Sequence, residues 1–308
     1  MLLRRLAWFL SFLLVLSVVI VGLRRVDLEA VLRSMRLLSW FDVLILLIFQ
    51  GVTLTFIAMQ WRVILRLHGH RVPLSTIVKM NAIGAFFEGL TPAAKTGGEL
   101  YKFKHLSDRG VPKRTALQVM LVQKGLSLTI FTLFLMMALV WWLPQLSARL
   151  DVSLWLVFTL FLMLIGLLVG AYRLVFPHKE QSMLKTLWFT FQQAKKPMIG
   201  LVLVSVLVWL TYPLKLMVLF WMFELDVALS GAFVTTFIAY AVAQLPITLG
   251  GIGTFEGTFV VLLQALDVSQ VVSLSVVLWF RFVTFWSVFL VGFTLLLTIT
   301  LKRVRSPL

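Results

Sequence analysis

The chain has 308 residues, 61% of them hydrophobic and 13% charged, with a mean hydropathy of +1.02. Apolar runs of about 20 residues, the length that crosses a bilayer, recur along it, so a soluble globular domain is excluded and a single integral membrane domain over 1–308 is expected. The formal charge of +16 sits mainly at the ends of those runs, where Lys and Arg set orientation and meet headgroups, which argues against nucleic-acid binding. Cysteine is absent, which removes disulfides, thiolate metal sites and thiol catalysis.

The first run, Leu6 to Leu23, follows Arg4-Arg5 and is longer than a signal-peptide core. No Ala-x-Ala site precedes Arg24-Arg25, so it reads as a retained first span. Within the following segment, near 24–38, Leu28, Val31, Leu32, Met35 and Ser39 fall at helical spacing opposite Arg25, Glu29, Arg33 and Arg36. That pattern predicts an interfacial amphipathic helix, with a helical cap over the bundle's end as the alternative. Full spans are expected at 6–23, 40–61, 117–143, 153–173, 199–222 and 271–300.

Two apolar stretches do not fit this series. Residues 76–90 end in Phe86-Phe87-Glu88-Gly89-Leu90 and run into Thr91-Pro92-Ala93-Ala94-Lys95-Thr96-Gly97-Gly98-Glu99. Residues 231–266 are interrupted by Leu245-Pro246-Ile247-Thr248-Leu249-Gly250-Gly251-Ile252-Gly253-Thr254-Phe255-Glu256. Pro and Gly break helices and Glu is costly in hydrocarbon, so such backbone persists at membrane depth only where it packs on protein or lines a cavity.

Basic residues place both termini inside, at Arg4-Arg5 and at Lys302-Arg303-Val304-Arg305. Six full spans with both ends inside require each awkward stretch to return to its own side. The four Arg in 24–38 conflict with the outside position this gives that segment. Residues near 72–114 then form a re-entrant hairpin from the cytoplasm and residues near 231–270 one from outside, as an inverted repeat would produce. A modest sequence repeat agrees. After Gly97-Gly98 comes Gly110-Val111, with Lys124 thirteen residues beyond Val111; after Gly250-Gly251 comes Asp267-Val268, with Arg281 thirteen beyond Val268. The expected fold is an all-α polytopic bundle of about six spans plus two re-entrant helical hairpins.

Candidate binding residues follow from these breaks. A Gly-Gly turn that opens a helix exposes backbone N–H groups, and Lys95 and Lys102 beside it add positive charge for a phosphate. Lys104, Arg109, Lys113 and Arg114 have a plainer explanation, contact with leaflet headgroups. Glu99 and Glu256 can each pair with a cation, cap a half-helix or carry a proton, and the pairs Glu99 with Lys124 and Glu256 with Arg281 are favoured. Glu88 lies in an apolar run with nothing charged beside it in sequence. Arg281, about ten residues into a span, is too deep to snorkel, so it needs an anionic partner, either Glu256 or a lipid phosphate. No metal-binding, Walker, nucleophile-elbow or paired-carboxylate pattern is present; no metal, cofactor or catalytic residue is expected.

The run Leu90-Thr91-Pro92 through Gly97-Gly98-Glu99, with a basic helix ending at Arg109-Gly110, resembles the first signature of the flippase-like membrane region of lysylphosphatidylglycerol synthases. Leu245 to Gly257, with Arg281 a helix later, is similar to the second. The resemblance covers nearly the whole chain and implies a multi-span inner-membrane protein that moves a lipid between leaflets. It does not imply aminoacyl transfer, which in the synthases belongs to a soluble C-terminal domain. Lys95 departs from the small or hydrophobic residues common in the first signature.

The expected function is therefore translocation of an anionic phospholipid or polyprenyl-phosphate-type lipid. Its residues would be Glu88, Lys95, Gly97, Gly98, Glu99, Lys102, Lys124, Pro246, Gly250, Gly251, Glu256 and Arg281. Expected partners are membrane lipids with anionic headgroups, with a homo-oligomer or an envelope-synthesis partner left open. An accessory subunit of a cell-envelope lipid or glycolipid synthesis system is the alternative, ahead of an intramembrane lipid-modifying transferase.

Overall fold

The computed structural model describes residues 28–91, 96–150, 195–244 and 248–305. The expected spans 6–23 and 153–173, and the candidate residues Lys95 and Pro246, lie outside them. Every regular element among the described residues is helical. Among the described residues, four stretches are long and apolar enough to cross a membrane: Trp40–Leu67, Lys113–Trp142, Pro197–Met222 and Gln270–Lys302. They coincide with four of the six expected spans.

The first described element is α1 (Leu28–Met35), in the segment expected to be interfacial. It packs on the later helix α9 (Gln270–Arg281): Ser275 Oγ donates to the Val31 carbonyl at 3.4 Å and Trp279 Nε1 to that of Met35 at 3.2 Å. Val31 is buried while Leu32 and Leu37 stay exposed, so one apolar edge covers the bundle and the other faces away from it.

Helix α2 (Trp40–Leu67) begins with a reciprocal cap, in which Ser39 Oγ accepts from the Asp42 N–H and the Asp42 carboxylate accepts from the Ser39 N–H. It ends in a left-handed turn at Gly69, φ 81°, with the His70 N–H donating to the Leu65 carbonyl. After α3 (Leu74–Leu90), a break and α4 (Thr96–Ser107), a second such turn at Gly110, φ 81°, leads into α5 (Lys113–Leu150). Gly suits both turns because it has no Cβ, which at positive φ costs other residues about 1–2 kcal/mol.

The second half repeats this order. Helix α6 (Lys195–Met222) ends in a left-handed turn at Glu224, φ 53°, where the Leu225 N–H donates to the Phe220 carbonyl. Then come α7 (Leu229–Ala243), a break with a 3-10 turn at Leu249–Gly251, and α8 (Thr254–Gln264). A fourth left-handed turn, at Asp267 with φ 64°, leads into α9; a π-helical segment, Phe282–Trp286, joins α9 to α10 (Ser287–Arg305).

Corresponding long helices run antiparallel. Along the α2–α6 contact Gln50 meets Lys215, Thr53 meets Thr211 and Gln60 meets Ser205, so one number rises as the other falls. The hairpins are exchanged between halves: α3 packs on α10, with Phe86 against Phe289 and Phe293, and α7 packs on α5, with Phe134 against Phe233 and Phe237. Gly292 lets α10 approach the Ala82 carbonyl of α3, the close backbone contact that small residues permit between apolar helices.

Candidate functional site: two hairpin tips and their ion pairs

Each awkward stretch folds as two helices packed back on each other. In the first hairpin, α4 returns along α3 so that Gly98 lies against Gly84 and Glu88, and Lys102 against Gly84. In the second, α8 returns along α7, with Phe255 4.9 Å from Tyr240 between ring centroids and Gly231 opposite Leu266. The two tips touch. A methyl group built on Gly250 would lie 3.9 Å from the Gly89 Cα and 3.2 Å from the Phe285 ring, and one on Gly89 would also lie 3.2 Å from that ring. Phe285 is therefore wedged between Gly89 of α3 and Gly250.

The predicted charges gather around these tips in two groups. In the first, Lys102 Nζ lies 2.7 Å from Glu88 Oε1 and 3.4 Å from Glu99 Oε1, while Lys124 Nζ lies 3.2 Å from that same Glu99 oxygen. Glu88, alone in the sequence, thus has a lysine from the opposite arm. Lys102 is buried, whereas the Lys124 side chain is 53% exposed. Lys124 is the cation of this group that a headgroup can reach without displacing protein.

In the second group, Glu256 uses both carboxylate oxygens. Oε1 accepts from Arg281 Nε at 2.7 Å, and Oε2 accepts from the Gly253 N–H at 2.7 Å at the start of α8. Arg281 also donates to the Gly250 carbonyl at 3.1 Å, and its guanidinium lies 4.9 Å from the Phe255 ring centroid and 4.4 Å from that of Phe285. With 5% of its side chain exposed, Arg281 clamps the second tip. Of the two partners expected for it, the structure supplies Glu256. Both Glu99–Lys124 and Glu256–Arg281 are separated by 25 residues, which extends the repeat from spacing to contact.

The paired glycines differ in role from the expected Gly-Gly turns. Gly97 and Gly98 lie in the first turn of α4; the Gly97 N–H is taken by Thr91 Oγ1 at 3.2 Å, and Gly98 is where the arms press together. Gly250, Gly251 and Gly253, at φ 59°, 73° and 87°, do form a turn. Gly250→Ala is expected to cost about 1–2 kcal/mol, from the left-handed backbone and displacement of Phe285. Gly257→Ala, with open space around it, serves as the control; thermal melting of the two in detergent checks this, and equal melting temperatures would refute it.

A buried polar seam between α2 and α6 lies outside the set of residues that the sequence singles out. Lys215 Nζ donates to Gln50 Oε1 at 2.5 Å and Thr53 Oγ1 at 3.0 Å; Thr53 Oγ1 in turn donates to Thr211 at 2.9 Å. Farther along, Gln60 Nε2 donates to Ser205 at 2.6 Å. The available signal was a lysine in Tyr212-Pro213-Leu214-Lys215-Leu216, deep within an apolar run.

Compared with known protein families, residues 8–292 match the one described as Lysylphosphatidylglycerol synthase TM region. No curated protein matches the chain.

Proposed function

The chain belongs to the lysylphosphatidylglycerol synthase TM region family, and on that premise we propose that it moves an anionic phospholipid or polyprenyl-phosphate-type lipid between leaflets, as a transporter and not an enzyme. The pairs α3–α4 and α7–α8 are the re-entrant hairpins of an inverted repeat, entering an inner membrane from opposite faces, with both termini cytoplasmic. The headgroup travels along the polar junction of the tips while the acyl chains stay in the bilayer.

The observation that carries this reading is the approach of Gly89, near the end of α3, to Gly250 in the second break, flanked by Glu88, Glu99, Lys102 and Lys124 on one side and Glu256 and Arg281 on the other. Buried charges in apolar helices are expensive, and helix breaks at corresponding places in two halves are where transporters build their sites. A phosphate approaching Lys124 competes with Glu99; Glu99 then turns to Lys102, so the headgroup is admitted without stranding a charge. Arg281, already held by Glu256 and stacked between two rings, keeps the second tip in shape.

The test is reconstitution into vesicles containing fluorescent phosphatidylglycerol or a labelled polyprenyl phosphate, with outer-leaflet label removed chemically. The wild type is expected to expose inner-leaflet label, and Lys124→Gln to slow it by about tenfold, the loss of one charge-assisted contact. If no lipid moves and none co-purifies by mass spectrometry, translocation is refuted. An accessory subunit would instead co-purify with a synthesis enzyme and tolerate Lys124→Gln.

A further inference from the structure

The left-handed residues Gly69 and Glu224 end α2 and α6 by the same turn and fix the register between the halves. Nine residues before them stand Gln60 and Lys215; nineteen before them stand Gln50 and Ser205. The contact of Gln60 with Ser205 is therefore the repeat counterpart of the contact of Lys215 with Gln50. Each joins the same two helices across the same crossing. In one a neutral amide makes the bond, so the bond does not require an ammonium group. The lysine adds something that the architecture does not need.

What surrounds that lysine is neutral. Its Nζ reaches Gln50 and Thr53 on α2 and lies 4.3 Å from the Tyr212 ring centroid on its own helix. Among the described residues no carboxylate lies within ion-pair distance, although Lys215 is only 1% exposed. The other titratable groups on this side are Tyr240 of α7, against Tyr212, and Arg281 of α9, held by Glu256. Glu88 of α3 is bound to Lys102. From α5 the facing contact is the Ser127 carbonyl, bonded by Trp209, and α5's Lys124 is bound to Glu99. A lysine buried without a counter-charge is the type that exchanges its proton instead of staying permanently charged.

We propose that Lys215 is a proton-binding site whose occupancy drives the second hairpin, so that the lipid movement proposed above is coupled to protons. The connection is continuous: Tyr212 packs on Tyr240 with centroids 5.2 Å apart, Tyr240 on Phe255 at 4.9 Å, and Phe255 beneath the Arg281 guanidinium at 4.9 Å. The protonated amine attracts the Tyr212 ring face and holds this row in register with the clamped tip. Loss of the proton removes that attraction and frees Tyr212 and Tyr240 to shift, loosening the packing under Arg281. Gln50 and Thr53 stay hydrogen-bonded to the neutral amine, so deprotonation leaves no buried polar group stranded.

The inference rests on the translocation reading, and two measurements separate their failures. In the vesicle assay, an imposed pH gradient is expected to make wild-type movement of labelled phosphatidylglycerol unequal in the two directions by roughly tenfold per pH unit, the limit for one coupled proton. Lys215→Gln, which copies the amide of Gln60, and Lys215→Arg, which keeps its charge, are each expected to move lipid equally in both directions. Equal directionality in the wild type, or a gradient response surviving in either variant, overturns the proposal. The second measurement needs no transport: the melting temperature of full-length protein in detergent is followed from pH 5 to 9. The gap between wild type and Lys215→Arg is expected to change with pH; a constant gap shows that the site binds no exchangeable proton and overturns the proposal. If no lipid moves but the gap changes, the translocation reading alone has failed. If Lys215→Gln does not fold, Lys215→Arg decides both measurements.

Discussion

Glu256→Gln should lower stability by about 3 kcal/mol or more, the loss expected when one member of a buried ion pair is removed and the other is left behind. Glu256 serves as acceptor twice, from Arg281 at 2.7 Å and from the Gly253 N–H at 2.7 Å. A carboxamide presents a single acceptor oxygen, so one donor is abandoned whichever way it turns. Arg281→Gln should be comparably damaging, because it also releases the Gly250 carbonyl and removes the cation between Phe255 and Phe285. The double variant Glu256→Gln, Arg281→Gln should cost clearly less than the two single losses combined. Equilibrium unfolding of the four proteins in mixed detergent measures this cycle. Strict additivity would mean that the pair does not clamp the second tip.

The second large effect is steric. A methyl group at Gly292 would overlap the Ala82 carbonyl and sit 3.0 Å from the Phe86 Cβ. The obstacle is backbone, which cannot rotate away, so Gly292→Ala must push α10 off α3. Overpacking of this kind costs about 1–3 kcal/mol, and separation of the helices adds to it. Gly51→Ala in α2 and Gly200→Ala in α6 meet nothing within 4 Å and should stay within about 1 kcal/mol of wild type, with a small gain from helix propensity. Gly98→Ala should resemble Gly292→Ala, since its methyl group would meet Glu88 and the Gly84 carbonyl, and it should also displace Glu88 from Lys102. Melting temperatures rank the set; a Gly292→Ala protein as stable as Gly51→Ala would refute the close approach.

Much of the site was legible because its signals are local. Pro246 and the glycines after it mark a break in any membrane helix, and a deep Arg281 demands a partner within reach. Both pairs were favoured from the sequence because each break is followed by a carboxylate and, inside the next apolar span, by a cation that needs one; the structure shows each pair to be 25 residues apart. Glu88 was harder. Its partner Lys102 stands on the returning arm, and only the antiparallel packing at Gly84 and Gly98 brings the two together. The role of the first glycine pair was illegible for a related reason. Gly-Gly is compatible with a turn or with a close approach, and the choice depends on what stands opposite.

From the sequence alone it followed that this is a multi-pass helical membrane protein, where the four described apolar spans run, where two apolar stretches break, and which family the chain resembles. Hydropathy and helix breaking depend on neighbours in the chain, so they can be summed along it. The tertiary structure decided which surfaces those breaks present: Phe285 between two touching tips, Arg281 as a clamp, Lys124 left accessible and Lys215 enclosed among neutral partners. Those outcomes depend on how corresponding helices cross, and a crossing is fixed by the fit of whole faces, which no single window of sequence contains.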